Sequence, residues 1–115
     1  MNIERVTREL VHDCNLIANS SKYGEAILTV LINHMEPNPF VYGMWSAEIS
    51  YENILALIPD LKQRKGQLTR AMKAAMKNGG LVRIAGYKRD NPCIYTFRSF
   101  IEEEQEGEID GQERG

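Results

Sequence analysis

The basic side chains of this sequence are concentrated in one segment. Between Leu61 and Arg89 the chain carries no acidic residue and nine bases, namely Lys62, Arg64, Lys65, Arg70, Lys73, Lys77, Arg83, Lys88 and Arg89. Ammonium and guanidinium groups bind phosphate oxygens, and arginine can also pair with base edges. A merely solvated surface mixes both signs of charge, because clustered like charges repel one another. The segment therefore favours a polyanionic partner.

The remaining charge is divided unevenly along the chain. Residues 101–115 hold seven acids and one arginine, a net charge of −6, whereas residues 1–100 carry +4. The tail has too few apolar side chains to pack, so we expect it to be disordered. We expect one folded domain over 1–100. The acidic tail over 101–115 either keeps the protein soluble, contacts its own basic face in competition with the partner, or binds a protein partner.

Apolar periodicity predicts the elements that precede the basic segment. Residues 3–19 and 22–36 have apolar side chains at steps of three and four, as helices do, and the second run is apolar nearly all round. The aromatic stretch 40–46 predicts a short strand. We expect its Phe40 and Trp45 to lie in the core.

Two helices and a hairpin are predicted around the bases themselves. Ser50 is suited to cap a helix over 51–58, and a turn follows at Pro59 and Asp60. A helix over 64–78 would bury Leu68, Met72 and Met76, and the glycines at 79 and 80 would end it. Strands over 81–85 and 93–98 would pair around a basic tip at 86–92. The predicted fold class is α+β, mostly helical.

This order of elements resembles a winged helix-turn-helix domain. The run LTRAMKAAMKNGGLVRI, followed by YKRDNPCIYTF, looks like the end of such a domain, in which an apolar-periodic helix closes on a glycine and an apolar pair and a basic hairpin returns through an apolar strand (here Gly80, Leu81 and Val82, then Ile94, Tyr95 and Phe97). MarR-type regulators and the N-terminal domains of phage replication protein O share this layout. The resemblance covers about residues 22–98, and Gly66 departs from the helix formers usual at that position. It implies a winged helix-turn-helix with a C-terminal two-stranded β-hairpin wing.

In that family's geometry the helix 64–78 enters the major groove and the wing 86–92 lies on the backbone. We expect the start of the helix to read bases through Gln63, Arg64, Gln67 and Arg70, while lysines bind phosphates. Tyr87 would either stack on a sugar or be an ordinary exposed hairpin residue. The predicted DNA-binding set is Lys62, Gln63, Arg64, Lys65, Gln67, Thr69, Arg70, Lys73, Lys77, Tyr87, Lys88 and Arg89.

The sequence offers no pattern for catalysis, a cofactor or a metal. His12 and His34 fall on different predicted helices, and Cys14 and Cys93 are too far apart for a ligand pair, so both thiols are expected to pack as small apolar side chains. Asp13, beside His12, is expected on a helix surface. We therefore predict no enzyme, no cofactor and no metal site. Without a secretory signal or an apolar run of about 18 residues, we expect a cytoplasmic protein with no membrane contact.

Three functions remain open at this point. The leading interpretation is a transcriptional regulator that binds double-stranded DNA. A phage or plasmid factor for DNA replication or partition is the second, and a winged domain used only for protein contact is the third. We expect a homodimer, because two half-sites multiply specificity. The helix within residues 1–20 either forms the dimer contact or completes the core.

Overall fold

A computed structural model describes residues 3–86 and 91–101 of the chain, and its side chains from Thr7 onward. The α-helices and strands in these residues are α1 (Ile3–Ala18), α2 (Gly24–Asn33), β1 (Met35–Pro37), β2 (Trp45–Ile49), α3 (Tyr51–Leu57), α4 (Lys65–Lys77), β3 (Leu81–Ala85) and β4 (Cys93–Phe97). Short 3-10 turns span Pro59–Leu61 and Arg98–Phe100. The predicted α+β class is confirmed.

All strand pairs in the sheet are antiparallel, in the order β1-β2-β4-β3. Ser46 of β2 lies opposite Thr96 of β4, and Leu81 of β3 lies opposite Phe97. The β1–β2 connection therefore leaves the sheet at one end, and the β3–β4 connection leaves it at the other.

The core is formed where the helices cover one face of the sheet. Ile17, Leu31, Ile54 and Leu68 come from the four helices, and Tyr95 comes from the central strand β4; all five are fully buried. Burial of one such side chain contributes roughly 1.5–3 kcal/mol. Among the described residues, no helix combines the length and apolarity needed to cross a bilayer.

The first helix is part of this core. Gly80 lets α1 approach closely, because a Cβ at that position would stand 2.7 Å from the Asp13 carbonyl oxygen. Asp13 itself is only 5% exposed, and its Oδ2 accepts a hydrogen bond of 2.7 Å from the Ser99 backbone N–H. The expectation that Asp13 lies on a helix surface is therefore wrong. The reason is tertiary: the C-terminal 3-10 turn brings a buried backbone donor that needs an acceptor.

The second helix is shorter than the predicted 22–36. It ends at Asn33, and His34 closes it with Nδ1 2.9 Å from the Val30 carbonyl oxygen. Met35–Pro37 then forms β1 at the edge of the sheet. Proline has no backbone N–H to donate. An edge strand tolerates Pro37 because one of its sides has no neighbouring strand.

The predicted strand over 40–46 is also wrong. Residues 38–44 form a loop, and β2 begins only at Trp45. The Asn38 side chain is the physical reason, because its Oδ1 accepts the Phe40 and Val41 backbone N–H groups that a ladder would need. Phe40 is 88% exposed and Trp45 is 46% exposed, so neither is a core residue.

Candidate nucleic-acid interface

The helix before the basic segment forms as its sequence predicts. Ser50 Oγ accepts a hydrogen bond of 3.2 Å from the Asn53 N–H, which satisfies a donor in the first turn of α3. The expected apolar stripe is buried throughout, at Tyr51, Ile54, Leu55 and Ile58. These contacts fix α3 against the core and so fix where α4 begins.

The turn between α3 and α4 has an unusual backbone. Lys62 and Gln63 both have positive φ, 50° and 63°, which for residues other than glycine costs roughly 1–2 kcal/mol each. Leu61 holds the turn in place: its side chain is fully buried and its carbonyl accepts the Arg64 N–H at 2.9 Å. The turn leaves Lys62, Gln63 and Arg64 exposed just ahead of α4.

The side chains of α4 are sorted by chemistry around the helix. Its buried side consists of Leu68, Ala71, Met72 and Ala75. At 100° per residue, the direction opposite these four falls on positions 66, 70, 73 and 77. We name Arg70, Lys73 and Lys77 the basic ridge; all three are exposed, and in the described part of the chain no ion pair engages them. One side of α4 is therefore apolar and packed, and the other is cationic and open.

The start of α4 adds to this positive charge. The N-cap residue Arg64 makes no side-chain hydrogen bond to the first turn, and that turn contains no acidic residue. A helix N-terminus carries about half a positive charge and favours an anion, yet here cationic side chains surround it. Gly66 has no side chain to cover the start of the helix, and the space beside it is open: a Cβ there would meet only Arg70 Nη1, at 3.9 Å. A bound anion such as a phosphate would offset this excess of positive charge.

Tertiary structure brings a further cation to α4. A shallow pocket of about 310 Å³ lies between the residues before α2 and the side of α4, and Lys22 and Arg70 both line it. Tyr23, which also lines this pocket, donates a hydrogen bond of 3.1 Å from its hydroxyl to Gln67 Oε1. Lys22 Nζ lies 5.6 Å from the centre of the Tyr23 ring. Sequence reasoning missed Lys22 and Tyr23, because they precede the basic segment by about forty residues and no local pattern links the two.

Most of the predicted DNA-binding residues that the structure describes are exposed to solvent. Exposed positions include those of the turn and most of α4, namely Lys62, Gln63, Arg64, Lys65, Arg70, Lys73 and Lys77. Gln67 is half-buried with its oxygen already accepting from Tyr23, which leaves its amide nitrogen to donate. Thr69 donates to the Lys65 carbonyl at 2.9 Å. Tyr87, Lys88 and Arg89 lie outside the described residues.

The cysteines and histidines do not form a metal site in the described ranges 3–86 and 91–101, where no group of three or more ligand-type side chains converges. Cys14 is half-buried in α1 and Cys93 is buried in β4, and the two thiols are not joined by a disulfide. Burial raises the pKa of the Cys14 thiol, with a smaller contribution from the Asp13 charge, and this keeps the sulfur protonated at neutral pH.

No family model, curated protein or solved structure matches this chain.

Proposed function

We propose that this protein binds double-stranded DNA through a winged helix-turn-helix arrangement, with α4 in the major groove. The observation that carries the proposal is the one-sided chemistry of α4, whose open face presents the basic ridge and no acidic group. The major groove of B-DNA is about 12 Å wide and admits one α-helix. The strands β3 and β4 that follow α4 support the same arrangement, because they pair antiparallel as a two-stranded hairpin and β3 packs against the helix.

The contacts divide into two kinds. Arg64 and Arg70 suit guanine, which presents two acceptors on its major-groove edge, and they lie near the helix start that reaches deepest. Lys73, Lys77 and Lys22 suit phosphate oxygens on either side of the groove. The hydrogen bond from Tyr23 holds the Gln67 side chain in one orientation, so that its amide nitrogen is a pre-positioned donor.

The first test removes the basic ridge one charge at a time. We expect Arg70→Ala, Lys73→Ala and Lys77→Ala each to weaken binding to a labelled duplex, measured by fluorescence anisotropy. If about five bases neutralise phosphates, the plot of log affinity against log salt has a slope of about −4 to −5, and each lost phosphate contact makes it shallower by about 0.9. Alanine is a good helix former, so α4 should keep its stability.

Arg8→Ala is the matched control, since Arg8 is an exposed base on α1 outside this surface. It should leave both affinity and salt slope unchanged. A wild-type slope near zero would contradict DNA binding. A wild-type protein that binds no duplex would favour a winged domain that contacts only proteins, whereas a triple variant that binds as tightly as the wild type would contradict DNA binding through α4.

For the biological process we propose transcriptional regulation, with replication or partition of a phage or plasmid as the alternative. Selection of bound sequences from a random duplex pool separates the two. One palindromic site supports a regulator, whereas short iterated sites support replication or partition.

A further inference from the structure

A loop on the far end of the sheet from the β3–β4 connection presents two aromatic rings to solvent. Phe40 is 88% exposed and Tyr42 is 102% exposed, although aromatic side chains are the usual anchors of cores and interfaces. The loop is well ordered by Asn38, whose side chain bonds the Phe40 and Val41 N–H groups and Ser46 Oγ. The rings are thus held outward by a pre-organised backbone.

An apolar pocket of about 460 Å³ opens beside this loop. Trp45, at the end of the loop, forms one wall, and the helices α1 and α2 supply Leu10, Cys14 and Ile32. Phe100, from the C-terminal 3-10 turn, also lines it. The same face of the protein therefore carries both projecting aromatic groups and a cavity that fits an aromatic group.

The exposed apolar surface here is larger than a monomer usually leaves in water. Ile32 and Trp45, which line the pocket, are 47% and 46% exposed, and Val41, in the loop itself, is 38% exposed. With Phe40 and Tyr42, two copies would bury on the order of 1,400 Å² together. Stable protein interfaces bury about 1,200–2,000 Å², so the patch is large enough for one.

We propose that this face is a two-fold interface between two copies of the chain, in which Phe40 and Tyr42 of each copy occupy the pocket of the other. A two-fold axis brings one patch against an identical patch, so the patch must contain both the projection and the cavity that receives it. The loop and pocket of this chain meet that condition. The interface does not depend on DNA binding, since the loop and α4's basic ridge use different side chains.

The acidic tail is a poor occupant of the same pocket. The described chain ends at Ile101, directly after Phe100, so the tail begins within reach of the pocket. Its residues 102–115, however, contain one aliphatic side chain, Ile109, among seven acids. Placing those carboxylates against an apolar wall would cost more than one isoleucine returns.

Trp45 provides a direct test because it is the only tryptophan in the chain and lines the pocket. We expect sedimentation to give twice the single-chain mass of 13.1 kDa at about 50 µM, a concentration at which a micromolar dimer is populated. On dilution the dimer should dissociate and the Trp45 emission should shift to the red. Phe40→Ser/Tyr42→Ser should raise the dissociation constant by about 30-fold or more, with an unchanged circular dichroism spectrum.

Two further variants keep the test specific. Ile32→Glu changes the receiving pocket and should weaken the dimer as well, because it would bury an unpaired charge. Leu57→Ser, at a 51% exposed position on α3, is the matched control and should leave the dimer intact.

Three results would overturn the proposal. One is a wild-type protein that stays monomeric at 500 µM, a concentration well above any specific dissociation constant expected for this area (~micromolar or tighter). Another is a dimer that loses as much affinity with Leu57→Ser as with the double variant. The third is a monomer whose Trp45 emission shifts to the red when residues 102–115 are removed, which would assign the pocket to the tail. None of these sedimentation and fluorescence experiments contains DNA, so their outcomes do not depend on whether the protein binds DNA.

Discussion

At the scale of single residues, Asp13 has the most unusual environment of the described acids. Burial raises the pKa of its carboxyl, while the hydrogen bond from the Ser99 backbone N–H and the nearby His12 lower it by less. A carboxyl whose pKa is higher in the folded than in the unfolded chain takes up a proton on folding. Its contribution to stability is therefore greatest below the unfolded pKa, about 4, and is lost as the pH rises through the folded pKa.

Asp13→Asn separates the charge from the hydrogen bond. The amide oxygen can still accept the Ser99 N–H, but it does not ionise. We expect the free energy of unfolding of the wild type to fall relative to the Asn variant as the pH rises from about 4 to 7.

Asp13→Ala should lower the free energy of unfolding by about 1–3 kcal/mol, because the buried Ser99 N–H is left without a partner. Urea unfolding across this pH range measures both effects, and parallel profiles for wild type and Asp13→Asn would contradict the first.

At the scale of elements, the turn before α4 stores backbone strain. Lys62 and Gln63 adopt the left-handed conformation although neither is glycine or asparagine. A strained turn persists when the surrounding structure holds its backbone conformation in place. Here the buried Leu61 side chain and the contacts of α3 hold it. The strain lies next to the surface proposed to meet DNA.

Lys62→Gly and Lys73→Gly make the same chemical change in opposite backbone contexts. At Lys62 glycine removes a left-handed penalty of about 1–2 kcal/mol and adds about 0.5–1 kcal/mol of unfolded-chain entropy. We therefore expect stability to rise by about 0.5 kcal/mol. At Lys73, in the middle of α4, glycine should lower it by about 1 kcal/mol. Thermal unfolding of the pair checks the signs, and a loss of stability in both would show that the turn is not strained.

The elements that sequence reasoning predicted well are those with local signals. The Ser50 cap, the apolar stripe of α4 and the glycines after it place α3 and α4 within about a residue of the observed ends. The ends of β2 and the existence of β1 were missed, because pairing with a distant strand decides them. Asn38 shows this directly, since its side chain competes with the ladder in a stretch whose composition favours a strand.

The residues of the candidate site also divide into those with a local sequence signal and those that only tertiary packing brings together. The basic ridge was predictable because helical periodicity alone separates its three bases from the buried stripe. Lys22 and Tyr23 were not, because only the packing of the start of α2 against α4 brings them to Gln67 and Arg70. The exposure of Phe40 and Trp45 was also unpredictable, because both residue types are ordinarily buried.

At the scale of the whole molecule, charge is divided between a cationic domain and an anionic tail. The tail's net charge of −6 exceeds the +4 of the rest of the chain in magnitude. If the proposed DNA binding holds, such a tail repels an incoming duplex, and it does so over roughly a Debye length, about 10 Å at 0.1 M salt.

Deleting residues 102–115 should therefore raise DNA affinity at low salt. The gain should shrink toward zero above about 0.5 M salt, where screening is strong. A full-length variant in which the seven acids are replaced by glutamine or asparagine controls for chain length and should behave like the deletion. Anisotropy titrations with the same duplex measure the effect. Equal affinity at low salt would rule out competition and leave the tail a role in solubility or partner binding.

The two connections leave the sheet at opposite ends, so the sheet holds them at a fixed separation. Strands rise about 3.3 Å per residue, so the five residues of β4 separate the ends by roughly 16 Å. The paired strands join the loop that carries Phe40 and Tyr42 rigidly to the two ends of the β3–β4 connection. If copies pair through the loop and hold DNA through α4, which packs against β3, the rigid sheet would fix the distance between the two grooves they occupy.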